Sequence, residues 1–237
     1  MSLIEYQPQQ IWLKEYPIRY AGCRFNSRMT IVRLDNGSVM VHSPCEISQK
    51  LKEEIEKIGK VEFIIAPGNF HWLHVESCQK AFPNAETWIC PGIEQKAPEM
   101  CFQWVLGDKP DPRWEKELDQ VFIRGSRIIS EVVFLHRASK TLIVVDAIEF
   151  IGPETPDTNW LLRFYWKYVT RMWSKPKPAP EYQMSWKNKR AAKKSFERIL
   201  AWDFDKIILS HGDIIERDAK EMARRAWYSL LKYKQKA

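Results

Sequence analysis

Apolar and polar positions alternate along much of the chain, and this pattern predicts a strand-rich fold. Short runs rich in β-branched residues, bounded by turn residues, are typical of strands. Asp35-Asn36-Gly37-Ser38 separates two such runs and predicts a tight hairpin, because Asn-Gly accepts the positive φ that the turn requires. The predicted strands are 29–34, 39–41, 61–65, 87–90, 121–123, 131–135, 141–145 and 205–209, preceded by one or two edge strands within residues 3–20 that prolines are expected to interrupt.

Other stretches carry apolar residues at helical spacing. In residues 48–59, Leu51, Ile55 and Ile58 share one face, and Gly59 is placed to end the helix. Hairpins come first, and strands then alternate with helices, which predicts a mixed α/β fold of two packed sheets with helices outside. The predicted helices are 48–59, 76–82, 160–173, 188–202 and 217–234, with an extended linker at 175–180.

The length and composition favour one domain. The chain has 237 residues, of which 45% are hydrophobic, and residues 150–187 are expected to be an inserted lid or surface segment. It contains no run of 18 apolar residues and does not start with a signal-peptide pattern. The five cysteines form no C-x-x-C pair, which favours reduced thiols and a cytoplasmic location.

The positive charge is concentrated in one segment. The net charge is +7, but residues 163–198 contain eleven Lys or Arg and two acids, a local charge of +9. Arg163, Lys167 and Arg171 recur at four-residue spacing within the aromatic stretch 160–173. Such a stripe could lie on an anionic membrane surface through residues 160–198, line a lid, or form a homodimer contact. Nucleic acid is not an expected partner, because no recognised binding motif accompanies the charge.

Candidate chemistry lies where the predicted strands end. One loop carries two of the five histidines, His71 and His74, three residues apart. His42, Asp146 and His211 each follow another apolar run. Because α/β folds place functional side chains at strand ends and in the loops that follow, we expect these residues to converge.

The order of these segments resembles the metallo-β-lactamase fold superfamily over roughly residues 20–150 and 188–232. The resemblance rests on the strand ending at His42, the approach to the loop with His71, the hairpin ending at Asp146, and F-D-K-I-I-L-S-H-G-D before the last helix. It implies a four-layer αββα sandwich. The chain is more closely similar to a branch known only as a domain of unknown function, through His-Ser-Pro, Ala-Pro-Gly-Asn-Phe-His, Leu-His-Arg and His-Gly.

The metal motif of the superfamily is incomplete in this chain. Alignment of its His-x-His-x-Asp-His loop puts Asn69 at the first His, His71 at the second, Leu73 at the Asp and His74 at the third His. The next family histidine falls near Ser126-Arg127, where there is none. A second metal therefore lacks ligands.

His136 does not supply the missing ligand. It lies beside a predicted hairpin turn, whereas Asp146 follows the far end of the returning strand. Five residues at about 3.3 Å each separate them by roughly 16 Å. We predict that His136 stabilises the turn.

The resemblance implies at most one Zn or Fe ion, or none. One site would keep His71 and Asp146, and the other His74, His211 and Asp146, to which His42 could add a ligand.

A single ion would support hydrolysis of an ester, lactone, amide or phosphoester substrate. Glu76 or Asp213 could act as general base, although either residue is more often a helix N-terminal charge. The alternative is an inactive protein that binds a small molecule, a partner or a membrane surface.

Overall fold

The computed structural model describes residues 3–234, which form two β-sheets and several helices. The first sheet has seven strands in the order β1-β2-β3-β4-β5-β6-β7. Strands β1 to β4 pair antiparallel and β4 to β7 pair parallel. The strands are β1 (Ile4–Gln7), β2 (Ile11–Tyr20), β3 (Cys23–Arg33), β4 (Ser38–His42), β5 (Lys60–Ala66), β6 (Glu86–Ile89) and β7 (Trp104–Val105).

The second sheet has four strands in the order β11-β10-β9-β8. These are β8 (Leu118–Ile123), β9 (Glu131–His136), β10 (Thr141–Val144) and β11 (Lys206–Leu209). Strand β10 pairs antiparallel with β9 and parallel with β11. The C-terminal ends of β10 and β11 therefore lie side by side at one edge.

Helices connect and flank the two sheets. Ser48 caps the first helix by accepting a hydrogen bond from the Leu51 amide, and Asn188 caps the sixth in the same way through Ala191. The helices are α1 (Gln49–Glu56), α2 (Val75–Ala81), α3 (Ile93–Lys96), α4 (Trp160–Phe164), α5 (Pro180–Ser185), α6 (Lys189–Ala201), α7 (Ala219–Ala226) and α8 (Tyr228–Leu231), and a π-helical turn, Tyr165–Val169, follows α4. None of the helices within residues 3–234 is both long and apolar enough to cross a bilayer.

The main core lies between the sheets. Val132, Phe134, Ile143 and Ile208 of the second sheet join the buried cluster formed by the first sheet, α1 and α2. The other face of the second sheet packs against α6, α7 and α8 in a separate cluster. The predicted mixed α/β fold of two packed sheets is therefore confirmed.

The structure corrects several predicted boundaries. The hairpin through Gly37 is confirmed, but β2 continues through Pro17 as a fully paired strand. The predicted helix 160–173 changes to π-helical geometry after Phe164 and ends before Arg171, which has positive φ. The predicted closing helix 217–234 is divided at Trp227. The Trp227 indole lies in the core and donates to the Ala147 carbonyl, so tertiary packing divides the helix at this residue.

Candidate metal centre

His71, Asp146 and His211 form a compact group of possible metal ligands. One ligand atom from each lies within 4.8 Å of the others, and all three residues are buried. Nε2 of His71 is 3.4 Å from Oδ1 of Asp146, and Nε2 of His211 is 3.7 Å from the same oxygen. Two imidazoles and a carboxylate are a donor set that suits Zn²⁺ or Fe²⁺.

Strand ends bring these residues together. Asp146 follows β10 by two residues, and His211 follows β11 by two residues. Because β10 and β11 are parallel neighbours with Val144 opposite Leu209, Asp146 and His211 leave the sheet side by side. His71 comes from the loop after β5 of the other sheet, so the group forms where the two sheets meet.

Both imidazoles are oriented by the first sheet. Nδ1 of His71 is 2.9 Å from the Ser43 hydroxyl, and Nδ1 of His211 is 3.2 Å from the Asn26 carbonyl oxygen. A carbonyl only accepts, so Nδ1 of His211 carries the hydrogen and Nε2 presents its lone pair to Asp146. Metal-binding histidines are commonly fixed in this way by a partner on the other nitrogen.

The electrostatics of the group fit a cation. Burial and the nearby His71 lower the pKa of His211 to about 4, so its imidazole is neutral at neutral pH. Burial alone would raise the pKa of Asp146, but the contacts with His71, together with the smaller effects of His211 and Lys96, lower it overall. The Asp146 carboxylate is therefore charged, and its Oδ2 atom is buried without a hydrogen-bond partner among the described residues. A charged oxygen facing an imidazole lone pair is the arrangement that a bound metal ion would satisfy.

Glu131 holds the Asp146 backbone in place. Its carboxyl oxygens accept hydrogen bonds from the amides of Val145 and Asp146, at 2.7 and 3.0 Å. Burial, reinforced by Asp146, raises the pKa of Glu131 to about 8. Sequence reasoning missed this residue, although an acid that opens the apolar run V-V-F-L was a usable signal.

Arg28 ties the His211 loop to the first sheet. Its guanidinium donates to the carbonyls of Leu209 and Gly212, which flank His211 on either side, and pairs with Glu15 at 2.6 Å. Gly212 has a φ of 94°, and a Cβ there would collide with the Phe150 carbonyl. The position of His211 thus depends on a buried arginine and on a glycine.

The group opens into a cavity of about 570 Å³. Its walls are mainly apolar and aromatic, and they include Phe25, Trp72 and Trp166. Ionisable side chains that sequence reasoning did not single out also line it, among them Lys96 and Glu149. The cavity can therefore hold a small molecule with a large apolar part and a few polar contacts.

Lys96 and Glu149 are both unusual for wall residues. Nζ of Lys96 lies 3.6 Å from the centre of the Phe70 ring, and burial lowers the pKa of its amine. Glu149 is buried, and its Oε2 atom has no hydrogen-bond partner within residues 3–234. Burial and the charge of Asp146 raise its pKa well above the usual value.

His42 and His74 lie outside the three-residue group. The His42 ring is buried between the sheets, in edge contact with Phe134 at 5.5 Å between ring centres. His74 is half-buried at the start of α2, where its ring contacts Tyr16 at 5.6 Å. The structure therefore groups His71, and not His74, with Asp146 and His211. His74 instead lies at the N-cap of α2, with its ring against Tyr16.

The two acids expected as general bases, Glu76 and Asp213, do not line the cavity. Glu76 is 75% exposed on α2 and pairs with Lys80 at 2.6 Å, as a surface helix residue would. Asp213 accepts a hydrogen bond from the Thr155 hydroxyl at 2.9 Å. Asp213 does not lie at a helix N-terminus, as considered above, because α7 begins only at Ala219.

The family positions without ligands have other structural roles. The Asn69 side chain donates to the Ile128 carbonyl and accepts from the Ser130 amide, so it attaches the site loop to the segment that precedes β9. Leu73 is 71% exposed. His136 contacts Ser139 at 2.7 Å beside the hairpin, which is the turn-stabilising contact predicted from the sequence.

Solved structures define the class of protein to which this fold belongs. A metallo-β-lactamase from Pontibacter korlensis is similar over 98% of this chain and 99% of its own, with a TM-score of 0.65 and 11% identity. The metallo-β-lactamase FIM-1 from Pseudomonas aeruginosa, in a mono-zinc form, covers 98% and 97%, with a TM-score of 0.61 and 11% identity. A metallo-β-lactamase from Hirschia baltica covers 97% of both chains, with a TM-score of 0.61 and 13% identity. The protein has the metallo-β-lactamase fold.

The family follows from the sequence itself. The chain belongs to the family described as a domain of unknown function, DUF4336, whose model matches residues 8–164. No curated protein matches the sequence significantly. The protein is thus a divergent metallo-β-lactamase-fold member with a candidate group of three metal ligands.

Proposed function

We propose that this protein is a hydrolase that depends on a single Zn²⁺ or Fe²⁺ ion held by His71, Asp146 and His211. The observation that carries the proposal is the convergence of their ligand atoms within 4.8 Å. The second carboxylate oxygen of Asp146, Oδ2, adds to it, because it is buried without a partner among the described residues. The metallo-β-lactamase names of similar folds, one of them in a mono-zinc form, favour zinc over iron. Three protein ligands leave coordination positions open for substrate or water.

The bound ion would supply Lewis acidity and would lower the pKa of a coordinated water. The protein residues have separate tasks. Ser43 and Asn26 orient the two imidazoles, and Glu131 fixes the Asp146 backbone. These contacts hold the donor atoms in place before the ion arrives, which lowers the cost of binding.

The cavity suggests the substrate class. Apolar and aromatic walls favour a substrate with an apolar body, and Lys96 offers a positive charge for a carbonyl, carboxylate or phosphoryl oxygen. Glu149 presents a buried carboxyl group to the same space and suits proton transfer to a leaving group. The proposed substrates are therefore esters, lactones, amides or phosphoesters with an apolar part.

A second candidate function is non-catalytic binding in the same cavity. The Asn69 side chain forms hydrogen bonds to backbone atoms, and Leu73 is exposed. Both positions therefore lack the ligands expected from the family motif. A chain that retains only one three-ligand group could bind its small molecule without converting it.

Metal analysis tests the proposal first. The protein is purified without chelators after growth with added zinc or iron, and its metal content is measured by plasma emission. We expect about one equivalent in the wild type and in Asp213→Asn, but little in Asp146→Asn. Metal content below about a tenth of an equivalent in the wild type would end the proposal.

Activity is then measured on chromogenic esters, lactones, amides and phosphodiesters. Hydrolysis that falls with Asp146→Asn, and persists in Asp213→Asn, supports the hydrolase. One equivalent of metal without any turnover of these substrates favours the binding protein instead.

A further inference from the structure

The outer face of the segment 160–175 carries an unusual concentration of exposed aromatic side chains. Trp160 is 76% exposed, Phe164 51% and Tyr168 69%. Their four-residue spacing puts them along one side of α4 and the π-helical turn, where the Phe164 and Tyr168 rings lie 5.3 Å apart. Large apolar side chains that are grouped in this way usually mark a contact surface.

Cations run beside these rings. Arg163, Lys167 and Arg171 are exposed at the same four-residue spacing, and Lys175 follows. Within residues 3–234, none of these four forms an ion pair with a carboxylate. Lys167 instead lies over the Trp173 ring, 4.8 Å from its centre. Their charge is therefore available to an anionic partner.

The inner face of the same segment is anchored and lines the cavity. Leu162 and Trp166 are buried in a small cluster with Phe25 of β3. Leu161, Tyr165 and Trp166 line the cavity wall. The exposed aromatic surface therefore lies on the outside of a wall that covers the candidate metal centre.

We propose that residues 160–175 dock onto the surface of an anionic lipid bilayer. Trp and Tyr side chains favour the headgroup level, and neighbouring Lys and Arg side chains favour acidic phospholipids. A short amphipathic element with exposed aromatic residues and a basic stripe is typical of binding in the plane of the interface. The proposal does not depend on the metal group, so either can fail without the other.

The charge also argues against a second copy of the chain as the occupant. A two-fold symmetric contact brings the same patch of both subunits together. Such a contact would place the stripe of Arg163, Lys167 and Arg171 close to its own copy, and like charges would oppose it. An acidic surface removes this conflict.

Vesicle flotation tests the proposal with the full-length protein. We expect co-flotation with phosphatidylcholine vesicles that contain about one third phosphatidylserine, no flotation with pure phosphatidylcholine, and loss of binding at high salt. Each exposed cation contributes about fivefold to binding, so Arg163→Gln with Lys167→Gln and Arg171→Gln should weaken it roughly 100-fold. Trp160→Ala with Tyr168→Ala should weaken it by about tenfold or more.

A matched control has the same loss of charge outside this segment. Lys187→Gln with Lys189→Gln and Lys194→Gln removes three cations near or on α6, and we expect it to retain most of the binding. Equal losses in both triple variants would show general attraction to charge and would overturn the proposal. Absence of flotation with the anionic vesicles at low salt would also overturn it. A protein that does not bind the vesicles, but forms a dimer in solution that Trp160→Ala dissociates, would overturn it in favour of a homodimer contact. Near-ultraviolet circular dichroism confirms that each variant remains folded.

Discussion

Nδ1 of His211 lies 3.2 Å from the carbonyl oxygen of Asn26, although Asn26 is in the first sheet and His211 follows a strand of the second. The same strand, β3, also carries Arg28, which contacts the backbone on both sides of His211. The first sheet therefore positions a candidate ligand that follows a strand of the second sheet. Metal binding and the packing of the two sheets are expected to stabilise each other, because only the packed state presents all three donors.

The identity of the histidine ligand can be tested directly. His71→Ala should lower the affinity for Zn²⁺ by more than about 100-fold, since the loss of a ligand exceeds the cost of losing its supporting hydrogen bond. His74→Ala should change it by no more than a few-fold, because His74 lies outside the group. Isothermal titration of the metal-free protein measures both. Equal losses in the two variants would show that the family motif, which gives His74 a ligand position, describes the site better than the three-residue group does.

Arg28 is expected to act as a positioning residue. Arg28→Met removes its hydrogen bonds to Leu209 and Gly212, and we expect zinc affinity to fall about 10- to 100-fold. The free energy of unfolding should fall by about 1–3 kcal/mol, because buried carbonyls lose a charged donor. Urea unfolding and zinc titration measure these effects. The exposed Arg24 on the same strand provides the control, and Arg24→Met should change neither quantity appreciably.

Gly212 should not tolerate a side chain. Its φ of 94° is strained for other residues, and a Cβ would collide with the Phe150 carbonyl. Gly212→Ala is therefore expected to cost about 1–3 kcal/mol of stability and to displace His211, which weakens zinc binding. Gly107→Ala is the matched control, because a Cβ at Gly107 meets no atom within 4 Å. Thermal unfolding curves that are alike for the two variants would contradict the expected steric conflict at position 212.

The burial of His42 predicts that the stability of the metal-free protein depends on pH. Burial, with a smaller effect of His71, lowers its pKa from 6.5 to about 3. Between these values the unfolded chain binds a proton at His42 that the folded chain does not bind. The contribution of neutral His42 to the free energy of unfolding is therefore fully present above pH 6.5 and is lost as the pH falls. This one group contributes a slope of up to about 1.4 kcal/mol per pH unit.

His42→Leu should remove that slope without a large loss of stability at neutral pH, because neither ring nitrogen has a partner among the described residues. Urea unfolding at several pH values between those two pKa values measures the difference. If His42→Leu also abolished metal binding, His42 would be a ligand, as the family resemblance allowed.

The cysteines should differ sharply in reactivity. Cys101 is exposed, whereas the other four cysteines are buried, and burial raises the pKa of each of these thiols: Cys23, Cys45, Cys78 and Cys90. A thiol reagent such as Ellman's reagent should therefore modify Cys101 rapidly in the native protein and the buried four only after unfolding. The variant Cys101→Ser should lose the fast phase. Rapid modification of the buried thiols under native conditions would contradict the packing described above.

Local patterns in the sequence were sufficient to predict most elements and the ends that meet. The Asn36-Gly37 turn, the amphipathic helix with Leu51 and Ile55, and the apolar runs before His42, Asp146 and His211 each have a local physical cause, and each is seen in the structure. Where tertiary contacts decide, the sequence was less informative. Trp227 interrupts an otherwise regular helical pattern because its indole is drawn into the core.

The site shows the same division. The resemblance put His74 in the three-ligand set with Asp146 and His211, and left His71 in a site with Asp146 alone. In the structure His71 is the histidine that lies with Asp146 and His211. Its position depends on a loop that Asn69 attaches to the segment before β9. Arg28 and Glu131 were missed for the same reason. Their roles are contacts to backbone atoms far away in sequence, and no local pattern encodes them.

The edge position of β11 has a practical consequence for shortened versions of this protein. The family match ends at residue 164, whereas β11 and His211 come later. A fragment trimmed to the matched segment would contain two of the three candidate ligands and would leave the β10 edge unpaired. Exposed strand edges promote aggregation. Recombinant work on related chains should therefore extend past the last strand, so that the product keeps a paired β10 edge and all three candidate ligands.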